Sequence, residues 1–328
     1  MTTTTSRVRQ THRSANLDAK TWPIAASTLP FPAVDRRGRI ARSGGLAEWA
    51  ARLSELATAG FDHVEITDTW LRAGDLDKRE LADLAAACRE HDLEVAAVAL
   101  IRASVIDPLH GDANLAYSHR AIEAAAVLGA QVVSVGLHEQ LTSEQAAAWW
   151  FWTRDHQAND PDDRELRAVA VNRLRELGEH AASLGLLLTL EMYEDTFLGS
   201  AESAIRLVEE IGRDDVGLNP DTGNLVRLHR PTEPPGEVLA AVLPWSNYWH
   251  VKNYLRLEDP GSGTILTAPT SMELGVIDYR DALRTAVDCG YAGVITCEHY
   301  GGDGLSVSAT NRRYLRDLLT SVSGKANR

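Results

Sequence analysis

Leu186-Leu-Leu-Thr-Leu-Glu191, Val216-Gly-Leu-Asn-Pro-Asp221, Ser246-Asn-Tyr-Trp-His250 and Gly293-Val-Ile-Thr-Cys-Glu298 are four short apolar runs. Each ends on a side chain able to ligate a metal ion. Runs of this length, the third carrying Tyr-Trp and the other three rich in Leu, Val or Ile, read as strands buried on both faces. A helical pattern follows three of the four directly. Strand followed by helix, repeated, specifies a parallel sheet.

The same alternation runs through the rest of the chain. Strands are predicted at Trp22–Ser27, Phe61–Thr67, Leu93–Leu100 and Gln131–Leu137, ahead of the four above. Helices are predicted at Leu46–Ala59, Lys78–His91, Ala113–Leu128, Asp163–Leu184, Ala201–Ile211, a short segment up to Leu243, Tyr279–Cys289 and Ala309–Ser321. Gly60, Gly129, Gly185, Gly212 and Gly290 follow five of these helices, where a left-handed residue ends a helix at little steric cost. Eight strand–helix units predict an α/β fold, a (β/α)8 TIM barrel forming one catalytic domain over residues 21–328. No GxGxxG follows the first strand, which counts against an open dinucleotide-binding sheet. Residues 1–20 are expected to be a disordered tail. Two segments exceed the barrel minimum, one after strand 4 (Glu139–Asp163, with Trp149-Trp-Phe-Trp152) and one after strand 7 (Asn253–Val276, rich in Gly, Pro, Ser and Thr). Both are expected at the mouth formed by the C-terminal strand ends.

The chain of 328 residues is 44% hydrophobic and 24% charged, ordinary values for a globular protein. Its formal charge of -13 repels phosphate backbones and argues against nucleic acid as a partner. Cys88, Cys289 and Cys297 have no CxxC spacing, so neither a disulfide framework nor a structural zinc site is expected, and a cytoplasmic location fits. No run approaches the ~20 apolar residues of a membrane span.

In a parallel barrel all C-terminal strand ends meet at one mouth. Glu191, Asp221, His250 and Glu298 would therefore converge. Each has an ordinary explanation by itself: a charge at a helix N-terminus for a Glu, a helix N-cap for Asp221, a core histidine satisfied by a carbonyl for His250. Their coincidence at successive strand ends favours a metal site. Three carboxylates and one imidazole suit Mn²⁺ or Mg²⁺, with Zn²⁺ and Co²⁺ admitted by the histidine. Such an ion polarises a carbonyl while a carboxylate, Glu191 or Glu298, takes the proton from the neighbouring carbon. His138, at the end of strand 4, is a candidate general acid or base, or a loop histidine without a role. Lys252 is either a contact to a substrate oxygen or a solvated lysine. Glu65 points inward or outward depending on register. His299 is expected to face away from the mouth.

At these residues a resemblance enters. Leu190-Glu-Met-Tyr193, Leu218-Asn-Pro-Asp-Thr-Gly-Asn224, Trp249-His-Val-Lys-Asn253 and Gly290-Tyr-Ala-Gly-Val-Ile-Thr-Cys-Glu-His299 resemble the xylose isomerase-like barrel superfamily, and more closely its sugar phosphate isomerase/epimerase branch. The resemblance covers about Trp22 to Leu319. It implies a divalent metal on Glu191, Asp221, His250 and Glu298, with Glu191 and Glu298 as acid/base groups, and a sugar substrate. Two departures bear on the reaction. Asn224 stands where many such epimerases carry a substrate-contacting histidine, and Asn253 stands where many carry Asp. The superfamily also includes the larger subunits of bacterial C-glycoside deglycosidases, lyases that act on oxidised aryl glycosides beside a small β-rich subunit. The aromatic segment at Trp149–Trp152, read either as a binding surface or as a barrel cap with a buried face, is compatible with that branch. Isomerase/epimerase and lyase stand nearly level, and an oligomer is expected. The superfamily's apurinic-site DNA endonucleases rank far lower, since they need several zinc ions and a basic groove.

Overall fold

The computed structural model describes residues 6–12, 17–34, 38, 40–154, 158–160 and 162–326, with side chains to 322. Eight parallel strands form one sheet: β1 (Ile24–Ser27), β2 (His63–Thr67), β3 (Glu94–Ala99), β4 (Val132–Val135), β5 (Leu187–Glu191), β6 (Val216–Asn219), β7 (Tyr248–Val251) and, after an inserted hairpin of β8 (Asn253–Asp259) and β9 (Thr264–Thr270), β10 (Val294–Cys297). The order is β6-β5-β4-β3-β2-β1-β10-β7. The ends of that row meet, because Leu218 bridges Ser246 in parallel and the Asn219 side chain accepts the His250 N–H at 2.7 Å. The sheet is thus a nearly closed barrel, as the strand–helix alternation predicts.

The helices are α1 (Ala41–Thr58), α2 (Lys78–Glu90), α3 (Gly111–Leu128), α4 (Ser143–Ala147), α5 (Arg164–Ser183), α6 (Ala201–Ile211), α7 (Gly223–Val226), α8 (Pro235–Val242), α9 (Tyr279–Asp288) and α10 (Gly304–Ala326). Their ends follow the local chemistry. Asp77 and Glu80 form a reciprocal capping box at α2, and Gly129 and Gly212 close α3 and α6 in the left-handed region. α1 begins earlier than its apolar spacing suggests and is broken at Gly45 (φ 58°), which hid its first turn. α10 also extends beyond the predicted range at both ends. The segment after β7 is an antiparallel hairpin rather than an irregular loop. Its alternation, Asn253-Tyr-Leu-Arg-Leu-Glu-Asp259, was masked by the Gly, Pro, Ser and Thr around the turn.

Period-two alternation explains what fills the barrel. Leu187, Thr189 and Glu191 share one face of β5; Tyr248 and His250 share a face of β7; Val294 and Thr296 share a face of β10, with Glu298 next along it. A cluster separate from the main core holds Ala25, Ala97, Val132, Leu187, Tyr248 and Val294. The interior is therefore apolar at the bottom and becomes polar, then charged, toward the mouth.

Part of the segment expected to be a free tail is docked on the barrel's lower end. The Arg7 and Arg9 N–H groups donate to the Pro244 and Asp214 carbonyls at 2.7 and 2.6 Å, and Val8 is buried. Gln10 bridges two strand entrances, donating to the Ser246 carbonyl and accepting from the Ala292 N–H, each at 2.8 Å. The three cysteines are buried and unpaired. Among the described residues no helix is long and apolar enough to cross a membrane. Gln10→Ala would leave two backbone groups at the barrel floor without partners, and should lower stability by about 1–2 kcal/mol, read as a lower thermal midpoint. An unchanged midpoint would show that the strap does not dock in solution.

Candidate metal centre

β5, β6 and β7 deliver three donors to one point. Glu191 is the last residue of β5, Asp221 lies two residues past β6, and His250 lies within β7. One ligand atom from each lies within 4.8 Å of the others. All three are buried, Asp221 completely. α7 takes Thr222 as its N-cap residue without a side-chain cap, so the Asp221 carboxylate is not spent on capping and stays in the barrel. His250 Nδ1 lies 3.7 Å from Asp221 Oδ2 and 3.9 Å from Glu191 Oε1, and neither it nor Asp221 Oδ1 has a hydrogen-bond partner among the described residues.

The imidazole is held from behind. His250 Nε2 lies 2.6 Å from Glu65 Oε2, and both side chains are fully buried. Glu65 thus points into the barrel, and this settles the register question that sequence left open. The ambiguity has a physical source: the β2–β3 register shifts between Val64 and Glu65. A carboxylate on the far nitrogen fixes ring orientation and leaves Nδ1 free toward the donors, the usual arrangement behind a metal-bound histidine. Burial disfavours a charged imidazole, but Glu65 first, then Asp221 and Glu191, hold His250 well above its ordinary value. The carboxylates that raise it, Glu65 apart, lie on the Nδ1 side, where a cation would meet the same charges.

Asn224 has a role that the sequence did not reveal. Its Nδ2 donates to Glu191 Oε1 and to the Met192 carbonyl, both at 3.0 Å, so it aims a candidate ligand. Asn253 is structural: its amide donates to the Met272 and Ile277 carbonyls at 2.7 and 3.0 Å and ties the hairpin to the barrel.

Glu298, one residue past β10, stands outside the three-residue cluster. Lys252 takes its Oε2 and also lies 2.6 Å from Asp221 Oδ2. Lys252 is therefore a buried ammonium bridging two carboxylates, not a solvated lysine. Burial would lower it, but Asp221 and Glu298 hold it well above its usual value. Burial also pushes the Glu298 carboxyl up to about 7, against the pull of Lys252 and His250. For Glu191 burial is outweighed by His250, His138 and Lys252, which hold it below the usual carboxylate range.

His138 reaches the same mouth, 2% exposed and stacked on Tyr193 with ring centroids 4.3 Å apart. Burial lowers it to about 4, so it is neutral at pH 7. His299 is mostly buried and lines a separate cleft of about 380 Å³ with Tyr300 and Pro30.

The segment after β4 caps the mouth. Phe151–Thr153 forms one tight turn, and Trp152 is 4% exposed, donating Nε1–H to Thr267 of the hairpin at 3.2 Å. Trp150 stacks on Trp152 with centroids 4.8 Å apart, whereas Trp149 is 88% exposed. Under this cap lie Arg227 and Glu194, an ion pair that sequence did not flag, with two contacts of 2.8 Å and almost no exposure.

The donor set fits a divalent ion. Glu65, Glu191, Asp221 and Glu298 are four buried carboxylates facing one ammonium and one imidazole. Buried negative charge in such excess is costly unless a cation balances it.

The model of the xylose isomerase-like TIM barrel family matches residues 53–318. The chain belongs to that family. A xylose isomerase-like TIM barrel protein from Mycobacterium smegmatis, solved in complex with magnesium, is 40% identical, covers 93% of this chain and 99% of its own, and superposes with a TM-score of 0.88. An L-ribulose 3-epimerase (16% identity, 93% and 96% coverage, TM-score 0.66) and a 3-keto-D-glucoside 4-epimerase from E. coli (17%, 90% and 100%, 0.62) share the fold. No curated protein matches the chain.

Because Glu65 holds His250 from its far nitrogen, Glu65→Gln should leave the fold intact and weaken Mn²⁺ binding by about 10–100-fold in a calorimetric titration. Unchanged affinity would contradict a supporting role for Glu65 behind a metal-binding His250.

Proposed function

We propose that this protein is a divalent-metal-dependent carbohydrate isomerase or epimerase, which moves a proton at the carbon next to a carbonyl. The convergence of Glu191, Asp221 and His250 at the barrel mouth, with Glu65 behind the histidine, carries the reading. Glu191, Asp221 and His250 would hold the ion, Mn²⁺ or Mg²⁺ by the hardness of the donors, with Glu298 as a fourth donor. When bound, such an ion supplies positive charge beside the substrate's carbonyl oxygen and lowers the cost of removing the neighbouring proton.

The chain's own residues supply the rest. Glu298 is the proposed proton acceptor and donor, because it lies at the mouth just past β10 and no backbone donor fixes it among the described residues. Lys252 neutralises it between turnovers and is placed to donate to a substrate oxygen. Glu191 is the second candidate, restrained by Asn224. His138, neutral and stacked on Tyr193, is suited to donating or accepting a hydrogen bond rather than to carrying charge. Phe151 and Trp152 exclude water from the reacting carbons. Support for a sugar substrate comes from the family and from neighbours of the same fold that are sugar epimerases by name.

A second reading is favoured by the same cap. The Trp152, Phe151 and Tyr300 rings lie over the mouth, where an aryl aglycone would sit, and Asn224 is engaged with Glu191 rather than offered to substrate. On that reading the proton abstraction ends in expulsion of the aglycone from a 3-oxo glycoside, and a small β-rich partner subunit goes with it. The endonuclease reading finds no support in the donor set, since one metal-type cluster of three is present among the described residues.

Incubation in D₂O with Mn²⁺ separates these outcomes. Chelator-sensitive deuterium incorporation into a simple ketose supports isomerase/epimerase. Aglycone release from a 3-oxo aryl glycoside supports the lyase. Neither, with metal bound, contradicts both. Glu191→Gln and Asp221→Asn should each abolish turnover and reduce metal occupancy without unfolding, and Glu298→Gln should lower turnover by about 10²–10⁴-fold.

A further inference from the structure

Above the metal-type cluster the barrel mouth holds a second polar layer. Glu194 lies three residues past Glu191, and Arg227 follows Asn224 by one helical turn. The two side chains meet as a forked pair, Arg227 Nη2 lying 2.8 Å from each Glu194 oxygen. Arg227 is fully buried. Four rings surround its guanidinium: Phe151 at 4.8 Å, Trp152 and Tyr193 at 5.1 Å, and Tyr300 at 5.7 Å. Tyr300 also lies 5.1 Å from Lys252 Nζ, so one ring links the guanidinium to the Lys252–Glu298 pair. Neither Nη1 nor the hydroxyl of Tyr254, which lies close enough to interact with Arg227, has a hydrogen-bond partner within ordinary distance among the described residues. A buried arginine N–H without an acceptor is rare in folded proteins and calls for an explanation.

Resting on the carbohydrate reading above, we propose that Arg227 contacts the substrate, its Nη1–H donating to a hydroxyl or carbonyl oxygen at the end of the sugar away from Glu191, Asp221 and His250, and that the Arg227–Glu194 pair selects unphosphorylated substrates. The charge argument is direct. Glu194 already neutralises Arg227, so the pair presents one free N–H edge rather than a net positive charge. A neutral oxygen needs that one donor. A phosphate dianion would meet the Glu194 carboxylate and, deeper in, the carboxylates of the metal-type cluster. The rings suit the C–H faces of a sugar. Two of them, Phe151 and Trp152, come from the capping segment. Glu194 is a positioning residue: it aims the fork without touching the sugar.

The test compares wild type, Arg227→Gln, Arg227→Lys and Glu194→Gln, loaded with Mn²⁺. The probes are D-fructose and D-fructose 6-phosphate, followed by proton exchange and by quenching of tryptophan fluorescence. Loss of one hydrogen bond predicts that Arg227→Gln raises KM and Kd for fructose by about tenfold or more while kcat falls less, with partial rescue in Arg227→Lys. Glu194→Gln, which unmasks the cation, should shift the kcat/KM ratio toward the phosphate ester by about tenfold. The ratio from Glu194→Gln decides the matter should Arg227→Gln fail to fold, as judged by its thermal midpoint. Exchange by wild type with unchanged KM in Arg227→Gln, or an unchanged ratio in Glu194→Gln, overturns this inference and leaves the carbohydrate reading standing. Absence of exchange and binding in wild type, with aglycone release from a 3-oxo aryl glycoside also absent, overturns both.

Discussion

Buried negative charge is the constraint around which this barrel is organised. Glu65, Glu191, Asp221 and Glu298 are each 5% exposed or less. A carboxylate far from water is tolerated when hydrogen bonds and opposite charge replace the hydration it lost. Much of the mouth does that work. His250 serves Glu65, Lys252 serves Asp221 and Glu298, and Asn224 serves Glu191. The remaining imbalance is what a divalent cation would correct, and the free Nδ1 of His250 faces that position.

Small residues make room for the arrangement. A Cβ at Gly223 would fall 2.4 Å from Lys252 Cγ and 3.1 Å from Asp221 Oδ1, so a side chain there would displace the lysine that bridges two carboxylates. A Cβ at Gly136 would fall 2.4 Å from His138 Nδ1, so the imidazole folds back over the strand end only because the position is glycine. The hairpin and the aromatic cap are joined by Trp152 and Thr267, and Thr267 also donates to the Arg227 carbonyl at 2.6 Å. Two insertions distant in sequence thus close over one mouth, joined by this short polar chain and by the edge-on packing of Trp152 against Tyr254 of the hairpin, ring centroids 5.5 Å apart.

The barrel was legible because its signals are local. Apolar runs of strand length, helical spacing and glycines at five helix ends repeat with little interruption. The convergence of Glu191, Asp221 and His250 was legible because each lies at or beside the C-terminal end of a strand, and strand ends of a parallel barrel share a mouth. What escaped depends on contacts between segments far apart. Whether Glu65 faces inward turns on a register shift that one strand's pattern does not encode. The ammonium on Glu298, the amide behind Glu191 and the Arg227–Glu194 pair are meetings of residues from different loops. Asn224 was legible as a departure from a family pattern, but not as a positioning residue. The docked strap at Arg7–Gln10 escaped because its polar composition reads as a tail, while its stability comes from backbone hydrogen bonds to the barrel floor.

The most direct test of this account is anomalous diffraction from crystals soaked in Mn²⁺. The account predicts one strong peak bounded by Glu191, Asp221 and His250 Nδ1, with Glu65 still on Nε2. A peak elsewhere, or none at a Mn²⁺ concentration that saturates the protein in solution, would contradict it, and the buried carboxylates would then be balanced by Lys252 and a protonated His250 alone.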